Sequence, residues 1–402
     1  MMRYAAQIAP EQTLFSITEA MPQRISARCQ HFGQCGGCQL QDIAYEDQLI
    51  AKQTMLLNVL HAAGISSTPT IELHSAEPWS YRNRIRLRIH DDNIGYSRRG
   101  SNDFLQIDEC PIASPLLIRM ALRMRDLVRA GKIQWPDGMV AMELFTDSEE
   151  HGVQLSTHTD ATVTEVSRNA PAQLRLLCDT VRNEFPQLIG GGLSAAAPDK
   201  TQSKRVQATQ RIEIARWGEP QLSYHVAGST YQITRNAFFQ VNRFLTSEMV
   251  KVVVDHRSGH LVLDLFAGAG LFSVPLAMRF DQEIAVEIGE PAVSDLTLHL
   301  AAYPQHRVAH ATVQEFLARS SVTPDLVVMD PPRAGVSLPA LRSLLKIQPR
   351  EIVYVSCDAG TFARDAKTLL EGGYTFAAFH FLDLFPQTFH TETIAVFRRV
   401  IA

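Results

Sequence analysis

No apolar run in the 402 residues approaches the roughly 20 that a membrane-crossing helix needs. The opening stretch, MMRYAAQIAPEQ, lacks the basic-then-apolar layout of a secretory signal. The expectation is therefore a cytoplasmic protein with no membrane partner. There is neither a G-x-x-x-x-G-K-[ST] phosphate cradle nor a G-x-G-x-x-G dinucleotide fingerprint. No internal repeat or long low-complexity tract is present. Charge of one sign is not in excess either: the formal net charge is −4, so the molecule as a whole does not attract nucleic acid. With 46% hydrophobic and 20% charged residues the chain reads as folded, and its length calls for two domains.

Cysteine is scarce, six in all, and in the cytosol a disulfide framework is not expected. The six are unevenly placed. Cys29, Cys35 and Cys38 form a C-x5-C-x2-C cluster in CQHFGQCGGC, where Gly33, Gly36 and Gly37 let the backbone fold tightly. Cys110 follows much later, directly before a proline. Three clustered thiolates and a distant fourth suit either a four-cysteine iron–sulfur cluster or a structural zinc, and the 3+1 layout with Cys-Pro leans toward [4Fe–4S]. Cys178, in LRLLCDTV, falls on an amphipathic helix and reads as a small core residue.

Residues 1–28 read as a short strand-like lead-in. Residues 29–227 read as an α+β domain rich in antiparallel strands, with a helix from Asp42 to Gly64 and others around 114–130 and 171–185. In YRNRIRLRIH, the period-two spacing puts Arg82, Arg84, Arg86 and Arg88 on one strand face. That face is either a solvated basic surface or a contact for an RNA phosphate backbone. The run GGGLSAAAPDKTQSK at 190–204 reads as a loop.

Residues 228–402 change character. From 260 onward, buried strands and amphipathic helices alternate strictly, which predicts a doubly wound parallel α/β sheet with ligands beyond the carboxyl ends of its strands. DLFAGAG supplies Asp264, Gly268 and Gly270 at a glycine bend, and Glu287 ends the second strand, where a carboxylate can accept both hydroxyls of an adenosine ribose. This is the usual arrangement for S-adenosylmethionine, with another nucleotide as the alternative. DPPR, at Asp330 to Arg333, caps the fourth strand with a stiff turn.

Cys357 ends the next strand, in EIVYVSC, and His390 and Glu392 precede the last one. A cysteine and an acid flanking a methyl donor fit one chemistry well. Carbon 5 of uracil is too weak a nucleophile to attack a sulfonium methyl unaided. A thiolate adding at carbon 6 turns the ring into an enolate rich at carbon 5. A base must afterwards remove the carbon-5 proton. Cys357 and Glu392 are expected in these two roles, with Arg333 as a candidate for lowering the thiol's pKa.

Together and in this order, the motifs resemble the RNA uracil-C5 methyltransferase family, and within it the iron–sulfur branch acting on 23S ribosomal RNA. The resemblance runs from Cys29 to the C-terminus. It implies a Rossmann-like class I methyltransferase domain beside an iron–sulfur and RNA-binding domain, with S-adenosylmethionine and a [4Fe–4S] cluster as cofactors and a monomer as the expected state. CQHFGQCGGCQLQ and ECPI are similar to the branch's four ligand positions, implying Cys29, Cys35, Cys38 and Cys110. ITRNAFFQVN is similar to the segment before the methyltransferase fold, implying a base contact for Phe238 and a cofactor contact for Gln240. DLFAGAG, Glu287 and DPPR imply cofactor contacts for Phe266, Gly268, Glu287 and Asp330, and substrate contacts for Asp330 and Arg333. SCD and FPQTFHTE match the nucleophile and base motifs. The reaction so implied is methylation of 23S ribosomal RNA of the uracil-1939 type.

The chain departs from that branch in two places. Relatives begin with a small β-barrel RNA-binding domain, of which RYAAQIAPEQTLF is expected to be the last strands at most. Thr312 stands where relatives carry Asn or Asp, so no adenine contact is assigned to it. Three other readings compete. A transfer-RNA T-loop uridine would keep the chemistry and change the substrate. A non-catalytic iron–sulfur redox or sensing protein that binds RNA is opposed by the joint presence of Cys357, Glu392 and Asp330. A small-molecule methyltransferase is opposed by the arginine-rich strand and the cysteine-bearing domain.

Overall fold

The computed structural model describes residues 10–21, 23–197 and 211–400. Its larger sheet has eight strands. In spatial order they are β1 (Ile71–His74), β16 (Tyr374–Leu382), β17 (Glu392–Arg399), β15 (Glu351–Ser356), β14 (Leu326–Met329), β11 (Gly259–Leu265), β12 (Phe280–Glu287) and β13 (Arg307–His310). β17 is antiparallel to both of its neighbours, and every other pairing is parallel. This is the expected doubly wound α/β sheet.

The continuous apolar runs of β11, β14 and β15 follow from burial on both faces. Leu263, Leu265, Val327, Met329, Ile352 and Tyr354 point into one core. Val262, Val328, Val353 and Val355 point into the other. The first core is closed by the helices Leu338–Ile347 and Ala359–Glu371, and also by Tyr45–Ala62 through Leu49, Met55 and Leu56. The second is closed by the helix Thr246–Val254 and by a hairpin of β9 (Gln221–Val226) and β10 (Ser229–Thr234).

The second sheet runs in the order β4 (Phe104–Gln106), β3 (Asn93–Ser97), β2 (Arg84–His90), β5 (Met139–Thr146), β6 (Val153–Thr162), β7 (Leu188–Ala196) and β8 (Arg211–Gly218). It is antiparallel except for β6–β7, and it packs the helices Pro115–Arg129 and Ala170–Glu184 against a third core. Cys178 is fully buried there, as its helical position predicts.

Three expectations need correcting. Pro10–Glu19 is a helix rather than the end of a barrel, and it packs on Tyr45–Ala62 through buried Leu14; residues 1–9 lie outside the described residues. The glycines at 190–192 lie within strand β7 rather than in a loop, while 198–204 fall outside the described residues. Neighbouring chains sit too close for side chains there. A Cβ at Gly190 would lie 2.1 Å from the Glu219 carbonyl oxygen, and one at Gly191 2.7 Å from Cys178 Sγ. Finally, the helix Tyr45–Ala62, strand β1 and strand β9, all drawn into 29–227 from the sequence, build the parallel-sheet half instead, β9 as the hairpin partner of β10. Their burial against strands far along the chain is invisible to local periodicity.

Candidate functional site

The carboxyl ends of β11, β12, β14 and β15 meet in one crevice, as the winding of the sheet requires. At the first, Phe266 holds a positive φ of 63° and Gly268 one of 56°. The left-handed conformation costs a non-glycine residue on the order of 1–2 kcal/mol, so it marks a bend that the fold imposes. Glu287 ends β12 and takes the Gly268 N–H on Oε2 at 2.9 Å, and the Ile288 and Gly289 N–H groups on Oε1 at 2.8 and 2.7 Å. Its orientation across the glycine bend is thus fixed by backbone. Three donors still leave a carboxylate lone-pair capacity for a further hydroxyl.

Below this bend lie buried acids. Asp264 accepts Ser273 Oγ at 2.5 Å, and burial pushes its carboxyl up to about 7. Asp330, at the end of β14, is raised by burial and by the Asp264 charge. Glu392 is raised well above the carboxylate range, first by burial and then by Asp330, with Arg333 opposing. Asp264 Oδ1 and Glu392 Oε1 are buried oxygens without a hydrogen-bond partner among the described residues. Such a set of neutralised acids suits a cationic ligand that would let them ionise.

Cys357 follows the last residue of β15. Because Ser356 pairs with Thr393 across β15–β17, the antiparallel register brings Cys357 beside Glu392. The thiol is pushed up to about 12, by burial first and then by Glu392 and Asp330, while Arg333 pulls the other way. Arg333 is thus the favourable charge expected from the sequence, but its guanidinium also faces His390, with Nη2 3.0 Å from Nδ1. Burial and the Arg333, Arg82 and Lys52 charges hold His390 down at about 3, so its ring is neutral. Phe238 is 64% exposed, a large aromatic face open to solvent, whereas Gln240 is buried. Thr312 caps the helix Val313–Arg319 in a capping box with Glu315, which accounts for it without a ligand.

The segment leading to His390 and Glu392, from Asp383 to Gln387, is held by residues distant from it in the chain. Lys52 Nζ lies 2.6 Å from Asp383 Oδ1, both side chains wholly buried, and also donates to the Phe385 carbonyl. Tyr45 Oη donates to Asp383 Oδ2 at 2.9 Å. Asn242 Nδ2 donates to the Leu384 carbonyl and Tyr81 Oη to that of Pro386. Gln48 binds the Gln387 side chain, and the Gln39 and Leu40 N–H groups donate to the Gln387 carbonyl at 2.9 and 3.0 Å. The one available signal was Gln48 and Lys52 lying on the apolar stripe of a helix.

Cys29, Cys35, Cys38 and Cys110 line one cavity of about 260 Å³, together with Arg82, Arg86 and Tyr96. The cysteine loop is docked there by backbone: Gly36 N–H donates to the Ser97 carbonyl and Arg99 N–H to that of Gln34. Burial is the first cause raising all four thiols, Cys29 to about 11 and Cys38 to about 12. Four thiols around one hollow, Cys38 buried and the other three half-buried, with two guanidiniums beside them, fit a polynuclear metal group. A single zinc, with Zn–S near 2.3 Å, would draw thiolates to within roughly 4 Å of one another. Among the described residues, the donor atoms that converge within 4.8 Å belong to a different group, Glu72, His74 and His380.

Of the four arginines expected on one strand face, Arg84, Arg86 and Arg88 lie on one face of β2, opposite buried Ile85 and Leu87, while Arg82 precedes the strand. Most of it is engaged internally. Arg84 stacks 4.0 Å above Phe145 and pairs with Glu143, and Arg88 donates to Ser97 and to the Asn102 carbonyl. Arg86 is the exposed one within the strand.

No helix among the described residues is long and apolar enough to cross a membrane. The sequence model of the tRNA (Uracil-5-)-methyltransferase family matches residues 204–316. The chain is 31% identical to a 23S rRNA (uracil(1939)-C(5))-methyltransferase RlmD of Marinomonas, over 97% of this chain and 84% of that protein. It is 30% identical to the RlmD of Vibrio campbellii, over 96% and 85%. Among solved structures it is similar to the tRNA (uracil-54, C5)-methyltransferase of Pyrococcus abyssi bound to S-adenosyl-L-homocysteine. That likeness has a TM-score of 0.72 and 26% identity, and covers 90% of this chain and 86% of that one.

Proposed function

The chain belongs to the RNA uracil-C5 methyltransferase family, and from that premise we propose that it methylates 23S ribosomal RNA, at the uridine equivalent to uracil 1939, in the cytoplasm. The observation that carries the mechanism is the β15–β17 register, which sets a half-buried cysteine beside a buried glutamate at the mouth of the crevice. The choice of ribosomal over transfer RNA rests on the two RlmD relatives, each matched along more than four-fifths of its length.

S-adenosylmethionine, when bound, supplies an electrophilic methyl group. Phe266, Gly268 and Glu287 shape the rim that receives its adenosine, Gln240 adds a buried polar group, and Asp264 and Asp330 provide acids able to ionise beside a sulfonium. The exposed ring of Phe238 stacks on a base. Asp330 and Arg333 hold the flipped uridine, whose unstacking a pocket of this kind must offset.

Cys357 loses its proton to solvent and its thiolate sulfur bonds to carbon 6 of the uracil, while the electron pair of the carbon 5–carbon 6 double bond moves onto the enolate and carbon 5. Arg333 favours the thiolate, and the protonated state of Glu392 and Asp330 spares it two negative neighbours. Carbon 5 takes the methyl group. Glu392, once ionised, removes the carbon-5 proton, and the electrons of that bond expel the Cys357 thiolate. Pre-organisation of the 383–388 segment keeps the base in place through both steps.

Cys29, Cys35, Cys38 and Cys110 hold a [4Fe–4S] cluster in this reading, with Arg82 and Arg86 balancing its negative charge. Its role is structural. The Cys38 loop hands its rigidity through Gln39 and Leu40 to Gln387 and so to the base segment, and the cysteine domain presents a surface to RNA.

The test is incubation of the purified protein with methyl-labelled S-adenosylmethionine and, separately, unmodified 23S ribosomal RNA and transfer-RNA transcripts. Label recovered as 5-methyluridine in 23S RNA is the expected outcome. Label in transfer RNA alone would keep the chemistry and overturn the substrate.

A further inference from the structure

A second cluster of ligand-type side chains lies away from the crevice. The outer strand β1 pairs in parallel with β16, with Glu72 opposite His380 and His74 two residues further along, so all three side chains share one face. His74 Nε2 is 3.1 Å from His380 Nδ1, His380 Nδ1 is 3.4 Å from Glu72 Oε2, and His74 Nε2 is 3.9 Å from Glu72 Oε1. Two imidazole nitrogens bound at about 2.0–2.1 Å to one tetrahedral ion stand roughly 3.3 Å apart, close to the spacing seen. The other ring nitrogen of His74, Nδ1, is 3.3 Å from Glu248 Oε1 on the helix Thr246–Val254. A carboxylate in that position fixes the imidazole tautomer, leaving the Nε2 lone pair aimed at the gap between the rings. Both histidine side chains are nearly buried, at 10% and 15%, while Glu72 stays open at 66%.

We propose that Glu72, His74 and His380 form a binding site for one divalent transition ion of the zinc type, with Glu248 orienting His74. Two imidazoles and a carboxylate are a borderline donor set that selects zinc-like ions over magnesium or calcium. A fourth position is free for water, because the three residues line a cavity of about 1030 Å³ that gives the ion a path in. The same cavity is lined by Phe280, Leu326 and Glu351, the amino ends of β12, β14 and β15, which is the end of the sheet opposite the crevice. The ion's effect is mechanical. It staples β1 to β16, and the His74 carbonyl itself accepts the Asp383 N–H at 2.9 Å, where the base segment begins.

The test uses the full chain with its cysteine cavity intact, cleared of loose metal with a chelator and titrated with Zn²⁺ or Co²⁺. One ion per chain should bind and raise the melting temperature. The Co²⁺ form should show visible ligand-field bands without a sulfur-to-cobalt charge-transfer band, which separates this site from the four cysteines. His380→Ala should abolish the binding. Glu248→Gln should weaken it by about 10- to 100-fold, as loss of an orienting carboxylate does. Because Glu72 is exposed, Glu72→Gln tests the site without threatening the fold and should also weaken binding. Absence of binding, or binding that none of these substitutions changes, overturns the proposal.

Discussion

Cys38 and Cys357 are both pushed up to about 12, and in both burial is the first cause. What differs is the company each keeps. Cys38 is surrounded by other thiols and by Arg82, with no carboxylate among the influences on it. Cys357 faces Glu392 and Asp330 and is followed in the chain by Asp358, with Arg333 as its one opposing charge. A thiol among thiols ionises when a metal displaces its proton to solvent and several thiolates then share the metal. A thiol among acids sits in a proton-exchange network, where ionisation can be matched to a reacting base. Burial alone therefore does not identify a nucleophile; the neighbours decide between ligand and catalyst.

The largest effect that would break this contrast is at Cys357. Cys357→Ala should lower methylation by on the order of 10⁴-fold or more while iron content and S-adenosylmethionine binding remain, since removal of a covalent nucleophile has costs of this order. Retained turnover would sink the assignment. Cys38→Ala is the reciprocal change: the anaerobically purified wild type should be brown, with about four irons per chain, and the variant should lose the iron and keep S-adenosylmethionine binding. A colourless wild-type protein carrying one zinc on the cysteines would overturn the iron–sulfur assignment.

Next in size is Glu392→Gln. Loss of a general base slows its step by about 10²- to 10⁴-fold. Because methyl transfer precedes that step, a protein–RNA adduct resistant to denaturation should accumulate on a gel. Slow turnover with no adduct would move Glu392 to an earlier role.

A smaller effect, on stability, comes from the buried ion pair beneath the base segment. Lys52→Met strands Asp383 without its cation and should cost about 3–5 kcal/mol by urea unfolding. Pairing it with Asp383→Asn should recover part of that, and an unchanged midpoint in Lys52→Met would mean the segment is held by its other bonds.

The catalytic contrast was far more legible in the sequence than the scaffold that enforces it. Cys357, Asp330 and Glu287 each stand at the carboxyl end of an apolar strand, where parallel strands bring side chains together, while Glu392 was read from its place just before the last strand and from the chemistry a cysteine requires. The four cysteines were found the same way, by residue type and spacing. Lys52, Tyr45 and Gln48 were missed because their partners lie more than 300 residues away, at Asp383 and Gln387. Strand β7 was misread because glycines that signal a turn also permit crowded backbones, as at Gly190. The helix Pro10–Glu19 was misread because the resemblance to a barrel outweighed its own weak pattern.

The smallest effect separates the two regions by proton linkage. Asp264, held up to about 7 by burial, and Asp330, raised by burial and by Asp264, are protonated more in the ligand-free fold than an exposed acid would be. A sulfonium bound beside them favours the ionised form, so binding should release protons below pH 7. The sign follows: a group whose pKa falls on binding makes affinity rise with pH, by at most about tenfold per unit for one proton, and the rise ends once pH exceeds the free-state value near 7. Calorimetry of S-adenosylmethionine binding at pH 6.5, in two buffers of different ionisation heat, measures the release directly. Asp264→Asn or Asp330→Asn should reduce it, and Cys38→Ala should leave it alone, since no thiol in that cavity titrates in this range. Binding without proton release in the wild type would show that these acids are already ionised in the free protein, and that Cys357 faces standing negative charge rather than neutral acids.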